Sequence, residues 1–222
     1  MDRSSSNSNP SPHKGVAGNR LIINVGRQIG AGGRAIGQLL AKEFDAHFYD
    51  SEILSLAAQE SGFAPEFFEQ NDEHKGFLRS LFHLRAPHVA DNNFYANNFS
   101  QESLFKFQCD AIRKAAAEDS CVFVGRCADY VLRDQPNTFN IFVTASMDFR
   151  IDHVVERHGC SREEAQRMIE KGEADRASYY NYYTGHHWAS AENYHLCIDA
   201  SLLGIERTAA FVAEFIKSHK SL

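Results

Sequence analysis

The sequence predicts an α/β fold built on parallel strands. Two observations carry this. Leu21–Val25 is a short, mostly apolar, partly β-branched run that leads through a glycine-rich stretch into an amphipathic run, Arg34 to Phe44. Behind it, apolar runs of strand length alternate with helical runs to the end of the chain, the order of crossover-connected parallel strands.

Composition sets the frame. At 222 residues the chain is long enough for one large domain, or one domain with a lid, and its 43% hydrophobic content supports a real core. A net charge of −6 speaks against a general nucleic-acid binder. No run of 18 apolar residues exists, so no membrane span or membrane partner is expected. The N-terminus lacks an apolar signal segment. The five cysteines are an odd number without a C-x-x-C pair, which argues against a disulfide frame or a zinc site and fits a reduced cytoplasm. The eleven histidines show no metal spacing, and His186-His187 reads as a solvated loop pair. No metal site of the protein's own is expected.

Residues 1–20 are rich in Ser, Asn, Pro and Gly and are expected to form a disordered tail ahead of a domain over 21–222. In the first strand–loop–helix unit, Gly26, Gly30, Gly32 and Gly33 fall within eight residues. Strand, glycine loop and helix form an anion site: the glycines let backbone N–H groups turn inward, and the helix N-terminus adds partial positive charge. Two standard patterns compete. A P-loop wants G-x-x-x-x-G-K-[ST]; with Gly32 as its second glycine, Arg27 stands at the first glycine and Gly33 at the lysine. A dinucleotide fingerprint wants G-x-G-x-x-G/A, which Gly30, Gly32 and Ala35 supply, with Asp50 about 20 residues on. The four residues between Val25 and Gly30 favour the P-loop, since a dinucleotide-binding strand runs almost directly into its first glycine.

Ala46–Tyr49 reads as a short strand ending at Asp50. An acid at a strand's carboxyl end sits where ligands bind in open α/β sheets, although Asp50 equally suits the N-cap of a helix over Glu52–Ser61. Residues 62–100 hold many aromatics, read as short helices with a local core. Gln101–Glu118 is a clear helix, with Leu104, Phe105, Gln108, Ile112 and Ala115 at helical spacing. Cys121–Val124 is a buried strand followed by Gly125-Arg126, an arginine aimed at the same crevice, whose planar fork suits phosphate. Asn140–Thr144 is the next strand and Met147–His158 the next helix. A further helix, Arg162–Lys171, carries Arg167 and Lys171 on one face, with Asp175-Arg176 and a run of tyrosines after it. This basic hairpin beside a phosphate site reads as a lid; the interleaved Glu163, Glu164, Glu170 and Glu173 fit a solvated face equally. Tyr194–Asp199 is the fifth strand and Ile205–Lys217 the closing helix.

The order of these motifs resembles the nucleoside monophosphate kinases, and in particular the cytidylate kinase-like proteins. Gly26-Arg27-Gln28-Ile29-Gly30-Ala31-Gly32-Gly33-Arg34, Phe48-Tyr49-Asp50 and Gly125-Arg126-Cys127-Ala128-Asp129-Tyr130 are similar to that branch's loop, F-Y-D and G-R-C-A-D-Y stretches. The lid residues Arg176, Tyr179, Tyr180, Thr184 and Trp188 are similar to that branch's too, and the strand Asn140–Thr144 leading to Arg150 and the closing stretch Cys197–Arg207 are similar to those of the cytidylate kinases at large. The resemblance runs from Leu21 to about Ile216. It implies a five-stranded parallel sheet with helices on both faces, an acceptor-side helical insert at about 51–118 and a helical lid at about 159–188.

It further implies ATP bound at Arg27 and Gly30, Ala31, Gly32, Gly33, Arg34 and Ala35, and a small nucleotide acceptor held by Asp50, Arg126 and Asp129. The expected reaction moves the γ-phosphate of ATP to a nucleoside monophosphate or similar acceptor. Mg²⁺ would be held mainly by phosphates, and Arg27, Arg126, Arg167, Lys171 and Arg176 would supply charge. With the lysine absent, Arg27 at the mouth of the loop is the better candidate to replace it. Arg34, at the start of the helix, would point to solvent or, like Arg27, pair with a nearby acid. Two other readings stand beside this one: a degenerate nucleotide-binding sensor or scaffold, and a dinucleotide-dependent oxidoreductase built on Gly30, Gly32 and Ala35.

Overall fold

In the computed structural model, residues 20–50 and 101–220 are described. The expectations for the N-terminal tail, the helix over Glu52–Ser61 and the aromatic-rich segment lie outside them.

The strands are β1 (Ile22–Arg27), β2 (His47–Tyr49), β3 (Cys121–Val124), β4 (Thr138–Thr144) and β5 (Leu196–Asp199). They form one parallel sheet in the order β2-β3-β1-β4-β5. The helices among the described residues are α1 (Gly33–Glu43), α2 (Gln101–Glu118), α3 (Ala128–Val131), α4 (Met147–His158), α5 (Arg162–Thr184) and α6 (Ile205–Lys220). No described helix is long and apolar enough to cross a membrane.

Alternation along the central strand shows why its sequence is almost continuously apolar. Leu21, Ile23 and Val25 pack with Ile36 and Leu40 of α1 and Val212 and Ile216 of α6. Ile22 turns the other way, into a second cluster with Ile112 of α2, Phe123 of β3 and Leu132. With both faces covered, each strand needs apolar side chains at successive positions. Ile23, Ile36, Leu40, Ile141 and Ile216 are fully buried. Each such side chain contributes about 1.5–3 kcal/mol. This core fixes the carboxyl ends of β1, β3 and β4 side by side, with Val25 in register with both Val124 and Ile141.

The sheet order removes the dinucleotide reading. In that fold β2 lies directly beside β1; here β3 lies between them.

The helix expected to stop at Lys171 runs on to Thr184. Ser161 and Glu164 form a capping box at its start, and its stop is Gly185, a left-handed residue whose N–H donates to Asn181 O. Gly172 interrupts the pattern of good helix formers without breaking the helix, because the residues after it pack on the body of the domain. Tyr194, expected to open the last strand, lies outside β5 and packs against Phe142, with ring centroids 4.9 Å apart.

Candidate functional site

β1 delivers the chain to a loop pinned on both sides. Gln28 N–H donates to Val143 O at 3.0 Å, and the Gln28 side-chain carbonyl accepts from Ala145 N–H at 3.3 Å and from the Thr144 hydroxyl. The backbone then turns through Gly30 and Gly32, both with φ +79°. Gly32 is the N-cap of α1 and offers no side chain to cap it. The first N–H groups of a helix have no acceptor within the helix, so this end presents donors and partial positive charge together. Gly30 lies close against α4: a Cβ there would sit 2.5 Å from the Arg150 carbonyl oxygen.

Arginines gather at the same end of the sheet. Asp50, just past β2, accepts from Arg34 Nε at 2.9 Å and lies 3.6 Å from Arg27 Nη2. The side chains of Arg27 and Asp50 are only 21% and 15% exposed. Burial, then the positive charge of Arg176, pushes Arg27 down to about 9 from its usual 12.5; Asp50 opposes the shift and Arg126 adds to it. Arg27 therefore stays charged at neutral pH, in a setting with more positive than negative charge. Arg176 of α5 donates from Nη1 to Arg27 O at 3.0 Å.

Gly125, Arg126 and Cys127 follow β3 with φ of +75°, +62° and +57°. Non-glycine residues in this region cost roughly 1–3 kcal/mol each and persist where surrounding structure holds them. Here Gly125 N–H donates to Val25 O at 3.1 Å and Gln108 Nε2 donates to Arg126 O at 2.8 Å.

Helix α5 closes over this edge. Arg150, 4% exposed, donates from Nε to Ile29 O at 2.8 Å and pairs with Glu173 through Nη2. The Glu173 carboxylate also accepts from Ile29 N–H at 3.4 Å. Ile29 packs against Gly172, where any side chain would collide with it. Further along, Tyr180 OH donates to Asp129 Oδ2 at 2.7 Å. Burial raises the Asp129 carboxyl above the usual range, and the bond from Tyr180 opposes that shift. Burial, then the nearby Asp129, pushes the Tyr180 hydroxyl well above its own range. Tyr179 OH donates to Gln108 Oε1 at 3.4 Å, and Tyr183 stacks on Phe105 at 4.0 Å, joining α5 to α2.

The model of the cytidylate kinase-like family matches residues 22–202. This chain belongs to that family. No curated protein matches the sequence. Among solved structures, an uncharacterized protein from Eubacterium ventriosum ATCC 27560 is similar at 24% identity and a TM-score of 0.67, over 90% of this chain and 99% of that one. Shikimate kinase from Bacteroides thetaiotaomicron is similar at 12% identity and a TM-score of 0.52, over 89% and 98% of the two chains. Shikimate kinase from Acinetobacter baumannii, in complex with shikimate, is similar at 12% identity and 0.50, over 92% and 96%. The fold of this cytidylate kinase-like chain is that of the P-loop kinases.

The structure brings Arg27, Asp50, Arg126 and Arg176 to one end of the sheet, next to the loop Gly30–Ala35. Arg34, its side chain 41% exposed, pairs with the nearby acid Asp50 and lies 5.7 Å from the Phe48 ring. Asp129 is engaged by Tyr180. Arg167 and Lys171 are exposed. At 3.6 residues per turn they lie on the side of α5 opposite Ile169, Gly172 and Arg176. Glu173, Gln108 and the loop-holding role of Arg150 escaped sequence reasoning. The spacing of Ala165, Ile169, Gly172, Glu173, Arg176 and Tyr180 along one helix face was the signal available for Glu173. Among the described residues no three or more His, Cys, Asp or Glu side chains cluster as a metal site.

Proposed function

We propose that this cytidylate kinase-like chain is a phosphotransferase that moves the γ-phosphoryl group of ATP to a nucleoside monophosphate or a similar small acceptor. One observation carries the reading: an uncapped glycine-loop helix start opens beside Arg27, Arg126 and Arg176, with Asp50 as the acid in their midst. Such a setting favours a ligand with several negative charges. Phosphoryl transfer needs little covalent chemistry from protein; positioning and charge stabilisation do most of the work.

In this reading the N–H groups from Gly30 to Ala35 hold donor phosphate oxygens. Arg126, on its strained turn, holds the acceptor phosphate beside Asp50. Arg176 closes from α5, and the seated helix excludes water. Asp129 positions Tyr180, and through it that helix. Arg167 and Lys171 take no part in this arrangement. The donor set fits Mg²⁺ carried in by the nucleotide: Asp50, the carboxylate next to the loop, is engaged by two arginines. When bound, the ion neutralises charge shared between phosphates.

The test is ADP release with ATP and a panel of nucleoside monophosphates, with shikimate added as a contrasting acceptor. Release with one or more nucleoside monophosphates, above the rate without acceptor, is the expected result. The glycine at the lysine position favours one second reading, a nucleotide-binding protein that has lost transfer. ATP-dependent thermal stabilisation without any transfer would establish that alternative, and absence of both would overturn the proposal.

A further inference from the structure

We infer that Arg27 performs the task of the absent P-loop lysine, and that Arg27 and Gly33 are the two halves of a single exchange. This rests on the phosphotransferase reading above and deepens it. Two departures from the P-loop pattern meet in space. Arg27 stands at the first-glycine position and Gly33 at the lysine position. A Cβ on Gly33 would lie 2.5 Å from Arg27 Cβ and 2.8 Å from its Cγ. The arginine stem thus occupies the space into which a residue at 33 would start its side chain. A lysine cannot be built at 33 while Arg27 keeps this conformation, and Arg27 cannot lie here unless 33 is glycine.

The guanidinium continues across the carboxyl ends of the strands. A Cβ at Gly125 would collide with Arg27 Nη1, and that residue's φ of +75° is one that a side chain rarely adopts. Gly33 and Gly125 therefore flank one arginine: the first frees its stem, the second its charged end. The path runs from the donor loop on β1 to the turn bearing Arg126 on β3. A cation spanning that gap lies between donor and acceptor phosphates, where charge develops during transfer. Arginine remains charged there and offers a planar fork where lysine offers a point. Asp50, 3.6 Å away, holds the guanidinium on one side. The proton affinity of Arg27 is lowered first by burial and then by Arg176, with Asp50 opposing, and a buried cation beside other cations is one that an entering polyphosphate would stabilise.

A variant cycle tests the exchange in the full chain. Arg27→Met keeps most of the stem and removes the charge; Arg27→Gly removes both, including the Cβ that a side chain at 33 would meet at 2.5 Å. Saturated turnover with the best acceptor should fall on the order of 10²-fold in each, with a smaller change in KM for ATP. Gly33→Lys in the wild type should be as impaired. Combined with Arg27→Gly, where the space is vacated, it should raise turnover at least tenfold over Arg27→Gly alone. ATP-induced thermal stabilisation gives a second readout: Gly33→Ala should reduce it in the wild type and leave it unchanged in the Arg27→Gly background. Wild-type turnover in Arg27→Met, a double variant as slow as Arg27→Gly, or equal Gly33→Ala losses in both backgrounds would each overturn the exchange. If the wild type turns over no acceptor, the phosphotransferase reading fails and the stabilisation cycle alone decides the exchange.

Discussion

Replacing Arg150 by methionine should loosen the phosphate loop more than any surface change. The side chain is 4% exposed and satisfies two groups at once, Ile29 O and the Glu173 carboxylate. Methionine fills the volume but leaves a carbonyl without its donor, which costs about 1–3 kcal/mol when buried. It also strands a carboxylate. Breaking one side of a buried pair costs roughly 3–5 kcal/mol, and Glu173, 21% exposed, places the total towards the lower end. A net loss of about 3 kcal/mol, at roughly 2–4 °C per kcal/mol for a domain of this size, lowers the melting temperature by about 6–12 °C.

Glu173→Gln retains an acceptor oxygen and should cost about half as much. The double variant Arg150→Met with Glu173→Leu removes both charges and should be less destabilised than the sum of its parts, because no ion is left unpaired. Calorimetry on the four proteins measures the cycle. A melting temperature within about 2 °C of wild type for Arg150→Met, or strict additivity in the double, would show that this pair does not anchor the loop.

Three further outcomes are expected. Gly32→Val places a branched side chain at φ +79°, with its Cβ 2.8 Å from Ile205 Cγ1, and should abolish nucleotide-dependent thermal stabilisation, whereas full stabilisation would place the site elsewhere. Arg126→Ala should weaken monophosphate binding by about 1.5–3 kcal/mol with a much smaller change for ATP, both read by calorimetric titration; equal losses would assign Arg126 to the donor side or the fold. Asp129 has a folded-state carboxyl raised by burial, so its ionisation opposes folding. Its contribution is favourable below the normal carboxylate range and is lost as pH rises through the raised value. Asp129→Asn, which can still accept from Tyr180, should therefore gain stability relative to wild type as urea denaturation is moved from pH 4 to pH 7. A constant difference would show that the carboxyl is not perturbed.

Most of the fold was legible because its signals are local. The continuous apolar runs of the strands reflect burial on both faces, the period-3.6 patterns of α1, α2 and α4 reflect the one face each buries, and burial is what the structure shows. The failures share a cause in tertiary packing. The continuation of α5 past Gly172 rests on packing of the residues after it, Tyr180 and Thr184 among them, and Ile29 fills the space a side chain at 172 would take. Tyr194 reads as strand on propensity and is drawn out by Phe142. That Arg27, Asp50 and Arg126 lie near one another was readable because each stands at or just past a strand's carboxyl end, and strand ends converge in a parallel sheet. Glu173 was unreadable as a partner of the loop because its role depends on Arg150, 23 positions away in sequence and buried beneath it. Arg167 and Lys171 are read from their charge and their spacing on one helix face beside the loop, and neither signal says which side of a helix faces inward; both are exposed.

Helix α5 is one uninterrupted rod of 23 residues. At about 1.5 Å per residue it is roughly 34 Å long, and Gly172 and Tyr180 are separated along it by roughly 12 Å. Between them it is fastened to the loop by Glu173, to the end of β1 by Arg176 and to the segment after β3 by Tyr180. These attachments belong to different strands, yet they share one stiff beam. Lifting the beam from the loop withdraws the tyrosine from Asp129 in the same stroke. Were α5 to move as one body, the loop side and the Asp129 side of this edge would open together, because the same helix carries all three attachments.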